Sequence, residues 1–324
     1  MMPAFYARWP PANGGTKGGA LMGRFQRLSR LLCVTLLAAL CGCMSWTPGW
    51  RLASDSGVPG DAESLRSQAE TLVLEAGTGE KVGAIIGVYD RILQIDPQDC
   101  DALSKLGEYH CLLGAAYTKS RADKKREYFL AIQFCERAMA TNGEFKALVS
   151  GGKDVGEACR VLGVREMDAM FFWSMAISYL FKECQGPVGS MVNFSWMKRC
   201  RQVMERMLEV DPEWRDGVVS FSWGIYYLGL PKAVGGDMKK SSEFLDRAAL
   251  AGPKSLLHRW GRAKYYDVKI GDAEAFRRDL EWVLAQDPRQ SVNPTYPWSA
   301  YFQKDAKTML ERFKKYPLKR AAVT

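Results

Sequence analysis

The chain has 324 residues, of which 47% are hydrophobic and 25% are charged, and this composition is that of a globular protein with one large or two small domains. Residues 1–42 hold five basic residues and no acidic one, so the remaining chain has 40 basic and 36 acidic residues, a net charge of +4. This small charge excludes the strong electrostatic field of a nucleic-acid-binding protein.

The first 42 residues have the order of a bacterial secretory leader. Arg24, Arg27 and Arg30 precede an uncharged run of ten residues, 31–40. A helix that crosses a bilayer needs about 20 apolar residues, so we predict that residues 1–42 are a signal peptide and not a membrane span. The stretch before Met22 resembles neither a signal nor a domain, which makes Met22 a second candidate for the initiator.

Cys43 ends a motif, Leu40-Cys41-Gly42-Cys43, that resembles the bacterial lipobox. In lipoproteins of this type the cysteine is diacylated and becomes the first residue of the mature chain, so we predict that Cys43 is a lipid anchor. A signal that is cleaved without lipid attachment is the alternative. The next stretch is rich in glycine, proline and serine, and we predict that residues 43–60 are a tether to a single domain at residues 61–324.

Four helical patterns in this domain end just before a proline, at Pro97, Pro212, Pro253 and Pro288. Twelve, eight and five residues before each proline lie three side chains that share one face of a helix. A fifth copy lacks the proline. The five sets are Ile85, Tyr89 and Ile92; Ala131, Cys135 and Ala138; Cys200, Met204 and Met207; Ser241, Leu245 and Ala248; and Phe276, Leu280 and Val283.

A second helical pattern precedes most of these sets, with a small residue at a fixed place. Its copies are Leu103, Leu106, Gly107 and His110; Trp173, Ala176, Ile177 and Leu180; Ser220, Trp223, Gly224 and Tyr227; and Trp260 and Ala263. This layout resembles the tetratricopeptide repeat (TPR), with roughly five to twelve residues inserted in several hairpins. The predicted fold is all-α: degenerate TPR-like hairpins stacked in a superhelix, with a C-terminal helix at residues 299–316 that caps the stack.

The first helices of these hairpins are rich in aromatic residues. The helix at residues 167–181 is apolar on nearly every side, so it is either surrounded by other helices or faces an apolar cavity. First helices line the concave side of a TPR superhelix, where a hydrophobic ligand would bind. Eight aromatic residues are therefore candidates for such a cleft, although packing in the core is the simpler explanation for any single one, but not for all of them together: Phe172, Trp173, Tyr179, Trp223, Tyr226, Tyr227, Trp260 and Tyr266.

The lipobox, the tether, the cryptic hairpins and the stretch LPKAVGGD at residues 230–237 together resemble the T component of tripartite ATP-independent periplasmic (TRAP) transporters. The resemblance implies a lipoprotein subunit that forms a homotrimer, binds one periplasmic solute-binding protein per protomer and carries an apolar channel for a hydrophobic ligand. It assigns no ligand-lining residue. In the turn at residues 235–237, glycine permits a positive φ and Asp237 is expected to cap the next helix.

Nothing in the sequence indicates an enzyme, a cofactor or a metal site. Glu136, Glu166 and Glu205 could form a carboxylate pair for acid–base catalysis, but solvated helix faces explain them more simply. The two histidines and the scattered cysteines do not have the spacing of a metal site. The spacing also does not pair the thiols, for which core packing is the simplest explanation: Cys100, Cys111, Cys135, Cys159, Cys184 and Cys200.

Two functions from different classes remain. The first is a periplasmic, membrane-anchored accessory subunit of a transporter that docks a solute-binding protein and holds or passes a hydrophobic ligand. The second is a TPR scaffold lipoprotein for envelope or outer-membrane assembly, which would carry no ligand. The sequence does not distinguish between anchorage in the inner and the outer membrane.

Overall fold

The computed structural model describes residues 44–52, 57–291 and 293–315. Every regular element in these ranges is helical, which confirms the predicted all-α class. The α-helices are α1 Ala62–Val73, α2 Gly79–Ile95, α3 Cys100–Leu112, α4 Arg121–Met139, α5 Gly143–Ser150, α6 Val155–Ala158, α7 Met167–Tyr179, α8 Pro187–Val192, α9 Phe194–Val210, α10 Trp214–Gly229, α11 Met238–Ala251, α12 Leu256–Gly261, α13 Val268–Ile270, α14 Ala273–Ala285 and α15 Tyr296–Lys315.

Both ends of these helices follow local rules. The helices that precede Pro97, Pro212, Pro253 and Pro288 each end two or three residues before the proline, as predicted. At the other end, a polar side chain accepts a hydrogen bond from the first turn and so satisfies an otherwise unpaired backbone N–H. These N-caps are Asp61, Thr78, Asp99, Ser120, Asn142, Asp154, Asp237 and Asp272. The predicted cap at Asp237 is therefore confirmed, and Gly235 before it has a φ of 103°.

Successive helices pack in pairs: α1 with α2, α3 with α4, α7 with α9, α10 with α11, and α12 with α14. All five predicted sets of marker residues are buried on the second helix of a pair. Close approach depends on small residues, since a Cβ at Gly107 would lie 2.3 Å from the Cys135 Sγ. Similarly, Ser241 Oγ donates to the carbonyl oxygen of Gly224 at 2.8 Å. This pairing is compatible with TPR-like stacking.

Three first helices end in a π-helical turn, which the sequence did not predict. The turns span Leu113–Tyr117 after α3, Leu180–Cys184 after α7 and Arg262–Asp267 after α12. A π turn widens the helix by one residue and changes the direction of the side chains that follow, and such turns are frequent at functional sites.

The stack of hairpins closes on itself. Arg289 Nη1, in the segment before α15, donates to the carbonyl oxygen of Leu74 at 2.9 Å, a contact between the last and the first hairpin. The hydroxyl of Tyr296 lies so close to Gly77 that a Cβ there would be 2.9 Å away. Helix α15 begins at Tyr296 and packs against α12 and α14, and its own residues Trp298, Phe302 and Ala306 are buried.

The segment predicted to be a tether lies against the domain over residues 44–52. Met44 and Gly49 are buried there, and Gly49–Arg51 forms a 3₁₀ turn that packs on α4. The predicted signal peptide and Cys43 lie outside the described residues.

Candidate functional site

The eight aromatic candidates separate into two groups by exposure. Phe172, Trp173, Trp223 and Trp260 are at most 4% exposed and belong to the core. The four tyrosines are half-buried and reach the surface: Tyr179, Tyr226, Tyr227 and Tyr266. The apolar helix α7 lies between α3, α4 and α9, so most of its aromatic side chains contact other helices. Of the eight candidates, only the four tyrosines are therefore placed to touch a ligand directly.

The four tyrosines do not form a single site. Tyr226 and Tyr227 surround Trp223, with ring centroids 5.6 Å from its ring, and Phe244 lies against the same group. Tyr266 contacts a separate small cluster around Phe221. Tyr179 is stacked on Tyr128, with the ring centroids 5.4 Å apart and the planes 7° from parallel. Of the three places, the surroundings of Tyr179 bring the most elements together.

A tyrosine- and lysine-lined group forms where the π turns and α15 meet, and we call it the inner recess: Tyr117, Tyr179, Lys182, Tyr265 and Tyr301. Lys182 Nζ donates to the hydroxyl of Tyr265 at 2.9 Å and lies 5.7 Å from the centroid of the Tyr179 ring. Lys264 Nζ contacts the hydroxyl of Tyr301 at 3.5 Å. All four tyrosines are half-buried, so each of them keeps part of its surface open.

Burial shifts the pKa values of two groups of the inner recess. Burial lowers the pKa of Lys182, and the neighbouring Lys124 acts in the same direction, although Glu183 and Asp305 oppose both. Yet the Lys182 side chain remains exposed to solvent. Burial likewise raises the pKa of Tyr265 to about 12. Lys182 therefore contacts surrounding protein, which lowers its pKa, while part of its side chain still reaches solvent.

The floor and rim of the inner recess are tied by hydrogen bonds. Trp260 is buried beneath it and donates its indole N–H to Asp305 Oδ2 at 2.9 Å, an oxygen that also accepts from Lys264 at 2.8 Å. On the other side, Glu183 accepts from the hydroxyl of Tyr128 at 2.8 Å and from Lys124 at 2.6 Å. These bonds hold the π turns in place around the recess.

Sequence reasoning selected Tyr179 and Trp260 but missed the rest of the inner recess. Tyr265 was not selected, and nothing in its spacing distinguishes it from Tyr266. Tyr301 lies on α15, which was predicted only as a cap. Lys182 and Tyr265 lie within π turns, which the sequence patterns did not predict.

A second cleft, of about 520 Å³, is polar rather than apolar. Its lining includes Arg66, Asp99, Asp101, Arg165 and Asp168. Arg66 forms ion pairs with Asp99 and Asp101 across it, so its charges are already paired. This cleft does not have the apolar walls that a hydrophobic ligand requires.

A buried ion cluster lies behind the polar cleft. Glu108 is 1% exposed and accepts from Lys105 Nζ at 3.0 Å, while Arg215 Nη2 donates to Asp168 at 2.5 Å. Burial opposes ionisation of Glu108, but Lys105 and Arg215 outweigh it and lower the pKa of this carboxyl. The positive and negative groups of the cluster compensate one another. The pairs Lys105–Asp168 and Arg215–Glu108 join α3, α7 and α10.

Arg215 reaches this cluster through an unusual backbone. Arg215, Asp216 and Gly217 have φ values of 47°, 59° and 82°, so three successive residues are left-handed at the start of α10. This conformation is costly for the two residues that have a Cβ, and it persists only where the surroundings enforce it. The ion pair with Asp168 and the guanidinium of Arg215 over the Trp214 ring, 4.8 Å from its centroid, are contacts of this kind.

Glu136 was predicted to lie on a solvated helix face, and this prediction is wrong because its side chain is buried. Its carboxylate accepts from the indole N–H groups of Trp46 and Trp173 and from the backbone N–H of Gly49. Burial raises the pKa of Glu136 to about 7, and the three donors only partly oppose this effect. Glu166 is also buried and accepts from the backbone N–H of Gly163, whereas Glu205 pairs with Arg201 at the surface as expected. Glu136 therefore connects the N-terminal segment to the core.

The pH dependence of folding should report the buried state of Glu136. Because its folded pKa of about 7 lies above the ordinary value of 4.5, its contribution is complete below about pH 4.5 and is lost as the pH rises through 7. A shift of this size corresponds to roughly 3 kcal/mol. We expect the Glu136→Gln variant to lose this part of the pH dependence in urea unfolding measured from pH 4.5 to 8.

Two other buried groups also titrate in or near this pH range. Burial raises the pKa of Asp267 to about 7 and lowers the pKa of His258 to about 4. Both groups contribute equally to the pH dependence of the wild type and of Glu136→Gln. The difference between the two pH profiles therefore isolates Glu136. Parallel profiles for the wild type and Glu136→Gln would contradict a raised pKa at this residue.

The six cysteines within the described residues are buried free thiols. In those same residues, no group of three or more histidine, cysteine, aspartate or glutamate side chains is arranged to hold a metal ion. None of the described helices combines the length and the apolar character that crossing a bilayer requires. The uncharged run at residues 31–40 lies outside the part of the chain that the structure describes.

The packed hairpins define an all-α protein built from paired helices. Residues 80–316, most of the domain, match the family model described as TRAP transporter T-component. No curated protein matches the chain. The chain therefore belongs to the TRAP transporter T-component family, which is a family of transporter components and not a known class of enzyme.

Proposed function

We propose that this protein is the lipid-anchored accessory subunit of a TRAP-type transporter. In this proposal it is anchored through Cys43 on the periplasmic side of a membrane, docks a periplasmic solute-binding protein and holds or passes a hydrophobic ligand. It acts as a homotrimer with one solute-binding protein per protomer. The family membership supports the transporter role, and the inner recess supports the ligand.

The observation that carries the ligand part is the composition of the inner recess. The rings of Tyr179, Tyr265 and Tyr301 offer apolar faces that remain partly open. Lys182 and the tyrosine hydroxyls add polar groups at the same place. Ligand sites typically combine apolar and aromatic walls with a few polar groups that fix orientation. The recess therefore suits a molecule with a hydrophobic body and a polar end.

The test of the ligand is native mass spectrometry of the purified protein, followed by extraction and identification of bound small molecules. We expect a lipid-like ligand in the wild type and at least tenfold lower occupancy in Tyr179→Ala, because this change removes a wall of the inner recess. Tyr226→Ala is the matched control, since Tyr226 is also half-buried but lies in the cluster around Trp223. Equal loss in both variants, or no ligand in the wild type, would contradict the proposal.

The test of the partner is affinity capture from envelope extract with the full-length lipidated protein. We expect recovery of a periplasmic solute-binding protein of the TRAP type. Recovery of membrane-assembly proteins, together with an empty inner recess, would favour the scaffold function instead.

The lipid anchor has its own expected result. Cys43→Ala removes the thiol that is acylated in the proposed anchor. The protein should therefore move from the membrane pellet to the soluble periplasmic fraction after ultracentrifugation. A variant that still pellets with membranes would show that acylation of Cys43 does not hold the protein there.

A further inference from the structure

The N-terminal segment, residues 44–51, is fixed to the domain directly after the proposed anchor residue. The backbone N–H of Met44 donates to Asn193 Oδ1 at 2.6 Å, and the Met44 side chain is 4% exposed. The Trp46 ring lies 4.3 Å from the Trp196 ring, centroid to centroid, and Gly49 donates to Glu136. A chain held by buried contacts at its first described residue cannot act as a long flexible leash.

The surface beside Met44 carries a group of exposed apolar side chains. Asn193, which binds Met44, directly follows helix α8, Pro187–Val192, and this helix has no buried residue. Val188, Met191 and Val192 on it are 58%, 80% and 40% exposed. Three exposed large apolar side chains on a six-residue helix form a patch rather than the scattered exposure that is normal for soluble surfaces.

The charges near α8 are favourable for a membrane surface. Between Glu183 and Glu205 the chain contains no acidic residue, and its charged residues are Lys198, Arg199 and Arg201. Lys198 is exposed, whereas Arg199 pairs with Asp154 and Arg201 with Glu205. Trp46 and Trp196 are half-buried next to the patch, and tryptophan is enriched where proteins meet the headgroup region of a bilayer.

We propose that α8 is the membrane-contacting edge of the domain, with Val188, Met191 and Val192 inserted into the interfacial layer of the bilayer that carries the anchor. This inference rests on the proposed lipid anchor at Cys43. An anchor at Cys43 alone fixes one point of the domain, whereas the apolar face of an interfacial helix is buried by about 5–10 Å in the headgroup and acyl boundary. Cys43 directly precedes Met44, and α8 directly precedes Asn193, which binds Met44. The lipid anchor and α8 therefore lie side by side, and together they would hold the domain in one orientation.

The test uses full-length lipidated protein in vesicles of phosphatidylethanolamine and phosphatidylglycerol that contain a lipid-borne fluorescence quencher. Met191→Cys is labelled with an environment-sensitive fluorophore. The six native cysteines of the described residues are buried, so the label goes to the new thiol. Leu250→Cys is the matched control, because Leu250 is 82% exposed, close to the 80% of Met191, but lies on α11.

We expect at least threefold stronger quenching, and a shift of emission to shorter wavelength, at residue 191 than at residue 250. Equal quenching at both residues, with the protein bound to the vesicles, would overturn the membrane contact and leave the anchor intact. Protection of residue 191 without quenching by lipid would overturn it in favour of a protein partner or a second copy. Failure of the protein to bind the vesicles would overturn the anchor and the contact together.

Discussion

Replacement of Trp173 by alanine is expected to lower the free energy of unfolding by about 3–5 kcal/mol. Trp173 is fully buried in α7, so the change leaves a cavity where α7 meets the second helices of two pairs. It also removes the indole N–H that Glu136 accepts at 3.2 Å, inside the core. Urea unfolding followed by circular dichroism measures the loss.

Two further variants separate the causes of this loss. Trp173→Phe keeps most of the ring volume but removes the donor to Glu136, so it should cost only about 1–2 kcal/mol. Trp282→Ala removes a half-buried tryptophan from α14 and should cost well under half as much as Trp173→Ala, because less apolar surface is lost. Equal losses at residues 173 and 282 would mean that Trp173 is not a core residue.

Replacement of Lys105 by methionine is expected to destabilise the fold by about 3–5 kcal/mol, because it leaves the buried carboxylate of Glu108 without its closest positive partner. Glu108 is 1% exposed, and the remaining cation, Arg215, is 4.0 Å away. The double variant Lys105→Met/Glu108→Gln should recover more than half of this loss, since it removes the uncompensated charge. Unfolding curves of the wild type, the two single variants and the double variant measure the coupling.

The surface pair of Lys81 and Glu75 supplies the control for Lys105. Both side chains are about half exposed, and their N–O distance of 2.9 Å is similar to that of the buried pair. Exposed pairs contribute about 0–1 kcal/mol, so Lys81→Met should have little effect. A comparable cost for Lys81→Met and Lys105→Met would contradict the buried role of Lys105.

The helical hairpins could be predicted from the sequence because their signals are local. A proline cannot continue a helix beyond its first turn, and the side chains twelve, eight and five residues before it share one face. For this reason the ends of α2, α9, α11 and α14 and all five buried sets agree with the prediction. The family resemblance came from the same hairpins together with the leader, and the family model confirms it.

The candidate site depended on contacts between distant parts of the chain, and there the prediction was incomplete. Glu136 looked like an ordinary surface glutamate because the groups that bury it, Trp46 and Gly49, are about 90 residues earlier in the chain. Tyr301 joins the inner recess only because α15 returns to α12. Likewise, the left-handed residues at the start of α10 are enforced by tertiary packing and not by local preference.

The closed stack has a consequence for how the protein unfolds. In an open array of repeats, each unit touches only its neighbours, so terminal units can fray or be deleted with little effect at the far end. Here Arg289 joins the last hairpin to Leu74 in the first, and removal of the C-terminal part would uncover both termini of the array at once. We therefore expect native-state hydrogen exchange in α1 and α15 to rise together, as a single cooperative unit, when this link is broken by Arg289→Ala.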